Sequence, residues 1–377
     1  MNRIYFDYNA TAPLRPVARE AMLRALDAGN ASSVHAEGRA ARALIESARV
    51  AVAGALGVKP DHVLFVSGAT EAAATALRPG EGDRLLIGAG EHICVKAGHS
   101  FPAENVATIR LDSQGRLDLD DLRGRLAQAP GQRPVLALQA VNNETGVIQP
   151  FVEAAALVHT AGGVMVYDAV QGFARIPCAF AVTGADVLFL SSHKLGGPKG
   201  AGALVYARRD LAPKAAYIRG GGQERGLRGG TENVAAIAGF AAALVEAEAS
   251  REAEAARLAE IRDFLQAGVL EIAPEAAIFG REAPRVANSL AFALPDLAAE
   301  TLVAAFDVEG VALSSGSACS SGKVAPSHVL AAMGVSPDLA RAALRISLGW
   351  GSTREEGVRF LEILAKVRER MRRRLKS

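Results

Sequence analysis

The stretch ADVLFLSSHKLGGPKGAGALVY, residues 185–206, closes an apolar run on Ser191, Ser192, His193 and Lys194 and follows them with four glycines in seven positions. A lone lysine beside a glycine turn is ordinarily a solvated surface charge. At the carboxyl end of a strand, where open α/β sheets bind ligands, it can instead offer an amine for a Schiff base, and the glycines let backbone approach closely. Other reactive side chains fall at the same kind of position. VLFVS runs into Gly68, Ala69, Thr70 and Glu71 as a helix begins, where amides and a hydroxyl suit a phosphate; Ser67 or Thr70 could equally be a simple helix cap. VMVYD ends on Asp168, with Gln171 three residues on, and a carboxylate there could also cap the next helix. LQAVNNETG places Asn142 and Asn143 at a strand end, where turn formation competes with ligand binding. His92 adds an imidazole after RLLIGA.

It is the company that sets Lys194 apart. An amine, a carboxylate, amides, an imidazole and an anion site at the strand ends of one sheet meet the needs of pyridoxal phosphate. That cofactor requires a lysine for the Schiff base, an acid that keeps its ring nitrogen protonated so that the ring acts as an electron sink, and donors for its phosphate. A nicotinamide cofactor would need GxGxxG directly after a strand with an acid about twenty residues on, and none of the strands is followed by it.

The elements that must position these residues are legible from residue 60 onward. HVLFVS, RLLIGA, VATIRL, PVLALQAV, VMVYDAV, ADVLFLSS and GALVYA alternate with amphipathic stretches. Runs apolar on both faces predict a mostly parallel sheet covered by helices. AEGRAARALIESARVAVAGALG reads as a helix ended by Gly57, and a long Ala/Glu-rich helix is expected over about 231–269. VANSLAFAL, AAETLVAAF, LRISLGW and a final helix supply a smaller α+β domain. The expected boundary lies near residue 250, giving a large domain over 12–250 and a small one built from 1–11 and 251–377.

Composition narrows the function class. Half of the 377 residues are hydrophobic and the net charge is +2 with acids and bases interspersed, which argues for a globular chain and against a nucleic-acid surface. No run approaches the roughly eighteen apolar residues of a membrane helix, and the opening MNRIYFDYNATAPL lacks a signal peptide's apolar core. A cytoplasmic location without membrane contact is expected. The basic run KVRERMRRRLKS reads as a solvated helix end with cations at the negative pole of the dipole. Cys94, Cys178 and Cys319 are far apart and form no CxxC, so neither a metal site nor a disulfide framework is indicated.

With these residues in place the chain resembles the cysteine desulfurases of the NifS/IscS kind, within the class V aminotransferase group of pyridoxal-phosphate enzymes. The resemblance runs from YFDYNATAP to LRISLG through GNASSVHAEGRAAR, FVSGATE, EHICV, VNNETGVIQP, DAVQ, SSHKLGGPKG, GGGQERGLRGGTENV and SSGSACSS. It implies the pyridoxal-phosphate-dependent transferase fold of type I, with pyridoxal 5'-phosphate as cofactor. Lys194 would be the Schiff-base lysine, Asp168 the partner of the pyridine nitrogen, and His92 a ring-stacking group that also moves protons. Asn143 and Gln171 would reach ring substituents, Asn143 also facing substrate. Ala69, Thr70, Ser191 and His193 would hold the phosphate, joined by Thr231 from the neighbouring subunit of a homodimer. Arg345 would grip the substrate carboxylate, for which a guanidinium has two-pronged geometry, although a structural ion pair is its bland alternative. Cys319, in the Gly/Ser-rich SSGSACSSGKVAPS, would take the sulfur as a persulfide, and a thiolate is required for that. A buried, inert role suits Cys178, while Cys94 has no assigned part.

The expected activity is conversion of L-cysteine to L-alanine with sulfur transfer to a protein acceptor such as an iron–sulfur scaffold. The alternatives are a selenocysteine lyase or another class V lyase, and a catalytically silent sulfur-transfer scaffold. Ser192, Gly230, Ala12 and EAAATAL depart from the usual pattern; they leave the chemistry intact and bear on the physiological partner.

Overall fold

The computed structural model describes residues 3–129, 131–316 and 327–376. After a two-residue strand β1 (Ile4–Tyr5), the chain forms a long helix, Ala36–Leu56, which Gly57 ends in the left-handed conformation at φ 72°. Seven strands follow: β2 (Val63–Val66), β3 (Asp83–Gly88), β4 (Val106–Ile109), β5 (Arg133–Gln139), β6 (Val164–Asp168), β7 (Val187–Ser191) and β8 (Gly202–Tyr206). They form one sheet in the order β2-β8-β7-β6-β5-β3-β4. Only β8 runs against its neighbours; β3 to β7 pair in parallel. Every residue of β2, β7 and β8 is buried, because helices cover both faces and neither face tolerates alternation with polar residues. The carboxyl ends of the parallel strands therefore open at one edge.

At that edge Gly202 sits opposite both Val66 of β2 and Ser191 of β7. A Cβ at 202 would lie 2.6 Å from the Leu190 carbonyl oxygen and 2.8 Å from Gly68 Cα. Only glycine lets the turn after β2 close on β7 there.

A second core gathers Ile4 and Phe6 with residues beyond 250, among them Leu265, Phe292, Phe306, Leu344, Ile346 and Phe360. Its sheet has the order β12-β13-β10-β9, from β9 (Ala277–Ile278), β10 (Ser289–Ala293), β12 (Ser314–Ser315) and β13 (Ala343–Ser347). Strand β1 pairs in parallel with β11 (Val311–Ala312), so the chain starts in the second core and then crosses to the first.

The long helix expected over 231–269 is two helices, Val234–Ala249 and Arg251–Ile272. The break is at Ser250, whose hydroxyl donates to the Glu246 carbonyl at 2.8 Å and so competes with the helical ladder. The basic end of the last helix, Arg354–Lys376, also differs from expectation. Arg368 donates to the Ile272 carbonyl at 2.6 Å and to Glu275, and Lys366 and Arg370 pair with Glu309. These cations latch onto the ends of neighbouring helices as well as facing solvent. No helix among the described residues is long and apolar enough to cross a membrane.

Candidate active site

The edge of the large sheet encloses a cavity of about 560 Å³ lined from both cores. Lys194 ends the short turn Ser192–Lys194 that follows β7. Gly196, at φ 84°, turns the chain where a Cβ would lie 2.7 Å from Arg15 Cγ. The Lys194 ammonium donates to the carbonyls of Asn9 at 2.6 Å and Ala10 at 2.8 Å. The segment after β1 thus supplies the acceptors that hold the amine.

Asp168 ends β6, paired in register with Gln139 and Phe189. One of its oxygens accepts from the Val170 amide at 2.9 Å, the turn-capping contact that is one reading of its position. The group also lines the cavity, and burial raises its pKa to about 6 against the pull of that amide and of Lys194. A carboxylate desolvated to this degree gains most from a cationic partner.

His92 precedes a short helical turn, and its Nδ1 accepts from the Cys94 amide at 3.1 Å, which leaves the proton of the neutral ring on Nε2. Burial, then the charges of Lys194 and His328, lower its pKa to about 4. Burial and the lysines 194 and 199 do the same to His193, whose Nδ1 lies 3.1 Å from the Thr11 hydroxyl. Both imidazoles are neutral at pH 7.

The helix Ala69–Ala76 starts beside Ser191, His193 and Lys199, and neither Ser67 nor Thr70 caps it with its side chain. Its first amides and the Thr70 hydroxyl remain in a concave, cation-rimmed pocket suited to a phosphate. Glu71, a carboxylate in this setting, is neutralised: it accepts from the Ser67 amide at 2.8 Å and from Arg228 at 3.0 Å. Burial would raise its pKa, but these donors hold it below the usual carboxylate range.

Arg345 on β13 is 2% exposed. It donates to Asp7 at 2.7 Å and to the Asn143 carbonyl at 3.0 Å. The ion pair is real, yet the guanidinium lines the same cavity and its buried Nε has no hydrogen-bond partner. The two asparagines divide the roles considered for them. Asn142 Oδ1 accepts from the amides of Glu144 and Thr145, closing a turn, whereas Asn143 lines the cavity.

The cavity brings together Ala69, Thr70, His92, Asn143, Asp168, Gln171, Ser191, His193, Lys194 and Arg345. Thr231 is exposed and lies outside it. Cys319 lies outside the described residues. The chain next to it on the carboxyl side is anchored to the site: Ser327 donates to Glu144, and the His328 ring meets the Glu91 carbonyl at 3.0 Å. Cys178 is buried with its thiol pushed up to about 12, an inert group; Cys94 lines the cavity. Asp7, Asn9, Thr11 and Lys199 are site residues without an individual role in the sequence reading. Their only signal was the motifs YFDYNATAP and SSHKLGGPKG that contain them.

A lysine amine, a buried acid seeking a cation and a helix-start anion pocket around one cavity fit pyridoxal phosphate in its donor set. Comparison with known proteins gives the family. Residues 4–360 match the aminotransferase class-V family. A cysteine desulfurase of Cereibacter sphaeroides is 38% identical, over 99% of this chain and 97% of that protein. The structure of a NifS-like protein from Rickettsia africae superposes with a TM-score of 0.90 at 30% identity, covering 98% of this chain and 100% of that one. SspA in complex with cysteine superposes with a TM-score of 0.77 at 28% identity, covering 92% and 98%. The chain belongs to the class V aminotransferase family, among its cysteine desulfurases.

Proposed function

We propose that the protein binds pyridoxal 5'-phosphate and converts L-cysteine to L-alanine, with the sulfur leaving as a persulfide on Cys319. The observation that carries this reading is the convergence of Lys194, Asp168 and Arg345 on one cavity. When bound, the cofactor supplies an electron sink that weakens bonds next to the substrate's amino carbon. Lys194, whose free amine the Asn9 and Ala10 carbonyls hold at the site, would bind it covalently and, once substrate has displaced the amine, carry protons to and from the substrate. Asp168 pairs with its ring nitrogen, and the helix start at Ala69 and Thr70, with Ser191 and His193, takes its phosphate. His92 carries its proton on Nε2 and moves it at the reacting carbon. Arg345, fixed by Asp7, orients the substrate carboxylate. The Cys319 thiolate attacks the substrate sulfur; the carbon–sulfur bond breaks, a sulfur–sulfur bond forms, and the carbon fragment takes up protons to leave as alanine.

The same reading makes the protein a homodimer in which Thr231 reaches the neighbour's phosphate, and a cytoplasmic donor of sulfur to an acceptor such as an iron–sulfur scaffold. It divides the chain into a cofactor domain over 12–250 and a small domain from 1–11 and 251–377. The SspA structure was determined with cysteine, which favours that substrate. Alanine release from L-cysteine and from L-selenocysteine, measured on the parent and on Cys319→Ala, tests the proposal. Cysteine-dependent alanine and sulfide are expected from the parent, and neither above background from the variant. Equal rates from both proteins would remove Cys319 from the mechanism.

A further inference from the structure

Gln171 presents an amide to the cavity, and an amide works as a donor there only if its nitrogen faces inward. Two contacts decide which way it faces. Its Nε2 donates to the Asn9 carbonyl at 2.9 Å, the same carbonyl that accepts from Lys194. Its Oε1 accepts from the Arg175 guanidinium, which also donates to the Gln171 carbonyl at 3.0 Å. A guanidinium cannot accept and a carbonyl cannot donate. Rotating the amide by half a turn would set donor against donor at Arg175 and acceptor against acceptor at Asn9. Arg175 reaches back over four residues, and Ala174 before it is left-handed, φ 57°, unusual for a residue with a side chain. An amide nitrogen has two hydrogens and Asn9 takes one, so the other can meet an acceptor beside Lys194.

We propose that Arg175 is a positioning residue: by donating to Gln171 Oε1 it holds Nε2 as the donor presented to an anionic oxygen of the ligand next to Lys194. With pyridoxal phosphate as that ligand, on which the proposal rests, the oxygen is the ring phenolate. A donor there stabilises the charge left when the Schiff-base nitrogen loses its proton. The charged groups around the amide are Arg175 itself, Lys194 after β7, Asp168 on β6 and Arg345 on β13; burial, and after it the charge of Arg345, lowers the Arg175 pKa to about 10.

The test titrates the visible absorbance of the cofactor-loaded protein with pH and measures the pyridoxal phosphate dissociation constant for the parent, Arg175→Met, Arg175→Lys and Gln171→Ala. Arg175→Met should raise the Schiff-base pKa by about one unit and the dissociation constant by about three- to tenfold. Lysine, which keeps a donor, should restore both towards the parent. Gln171→Ala should shift them likewise, and adding Arg175→Met to it should change nothing further. A methionine variant that titrates like the parent, or a shift that persists in the Gln171→Ala background, overturns the positioning role alone. A parent that gains no visible absorbance with pyridoxal phosphate overturns the cofactor reading and this proposal together.

Discussion

Arg345 illustrates how one residue can satisfy a structural and a functional reading at once. Its ion pair with Asp7 spans 338 positions and fixes the guanidinium plane, so its remaining edge can meet a carboxylate without loss of side-chain freedom. Lysine at 345 would keep the charge and lose the fork. Arg345→Lys is expected to raise KM for L-cysteine about ten- to a hundredfold, since a hydrogen bond between charged groups contributes roughly 1.5–3 kcal/mol; steady-state kinetics with an unchanged KM would assign Arg345 to the Asp7 pair alone. His92 gives a pH-dependent counterpart. Its pKa falls from 6.5 to about 4 on folding, so its contribution to stability is fully present above 6.5 and is lost as pH falls through about 4. Asp168, raised to about 6, gives the opposite slope over much of that range, so the parent must be compared with His92→Gln. Denaturant midpoints of the cofactor-free proteins should move in favour of the variant between about pH 7 and about pH 5. Parallel midpoint curves would mean that the ring is protonated in the folded state. At this scale Lys194, Asp168 and His92 were legible because each closely follows an apolar run. The acceptors of Lys194 were not, because they are backbone carbonyls of Asn9 and Ala10, which no side-chain pattern marks.

Elements were legible wherever burial was two-sided. Each of the seven runs of the large sheet is a strand; six are largely buried, while β4 at the sheet's edge, with Thr108 exposed, is the exception that its aliphatic residues still marked. Their order was not legible, because hydrogen bonds between strands leave no trace in spacing; nor were β1 and β11, two residues each and too short for a period. The loop GGGQERGLRGGTEN shows what long-range pairing adds to a segment that composition marks only as a turn. Glu224 and Arg225 are left-handed in it, at φ 46° and 60°. Glu224 accepts from Arg49 at 2.6 and 2.8 Å and from the Phe65 amide at 2.9 Å, inside the core. The Arg49 guanidinium lies 4.9 Å from the Phe65 ring centre. Both charged side chains are nearly sealed from water, at 3% and 2% exposure; Arg49 also meets the half-exposed Glu46 at 3.2 Å, whereas removing Arg49 leaves the Glu224 carboxylate buried with the Phe65 amide and no cation. Arg49→Met should cost about 3–5 kcal/mol in urea unfolding, and adding Glu224→Leu to make an apolar pair should recover much of it. A single variant within about 1 kcal/mol of the parent would show that the Phe65 contact, not the ion pair, seats the loop.

For the molecule as a whole, the same loop carries the question of the dimer. Past the Glu224 anchor, Arg228 binds Glu71 beside the helix start that faces the cavity. Thr231, three positions on, is exposed and does not line the cavity of its own chain. We propose that it completes the neighbour's phosphate pocket, so that each site takes Lys194 from one chain and Thr231 from the other. Two separately inactive variants then become a test of shared sites. Lys194→Ala removes the amine, and Thr231→Asp sets a carboxylate against the neighbour's phosphate. In a mixed dimer one site receives both lesions and the other receives neither. Random reassortment of equal amounts makes about half of the dimers mixed, each with one intact site of two, and should restore about a quarter of parental alanine release. The doubly substituted chain mixed with the parent provides the control: each mixed dimer there carries one lesion in each site, so activity should fall to about the quarter contributed by parental dimers, where unshared sites would keep about half. Co-expressed single variants that give no more than the sum of their separate activities would confine Thr231 to its own subunit and leave each site complete within one chain.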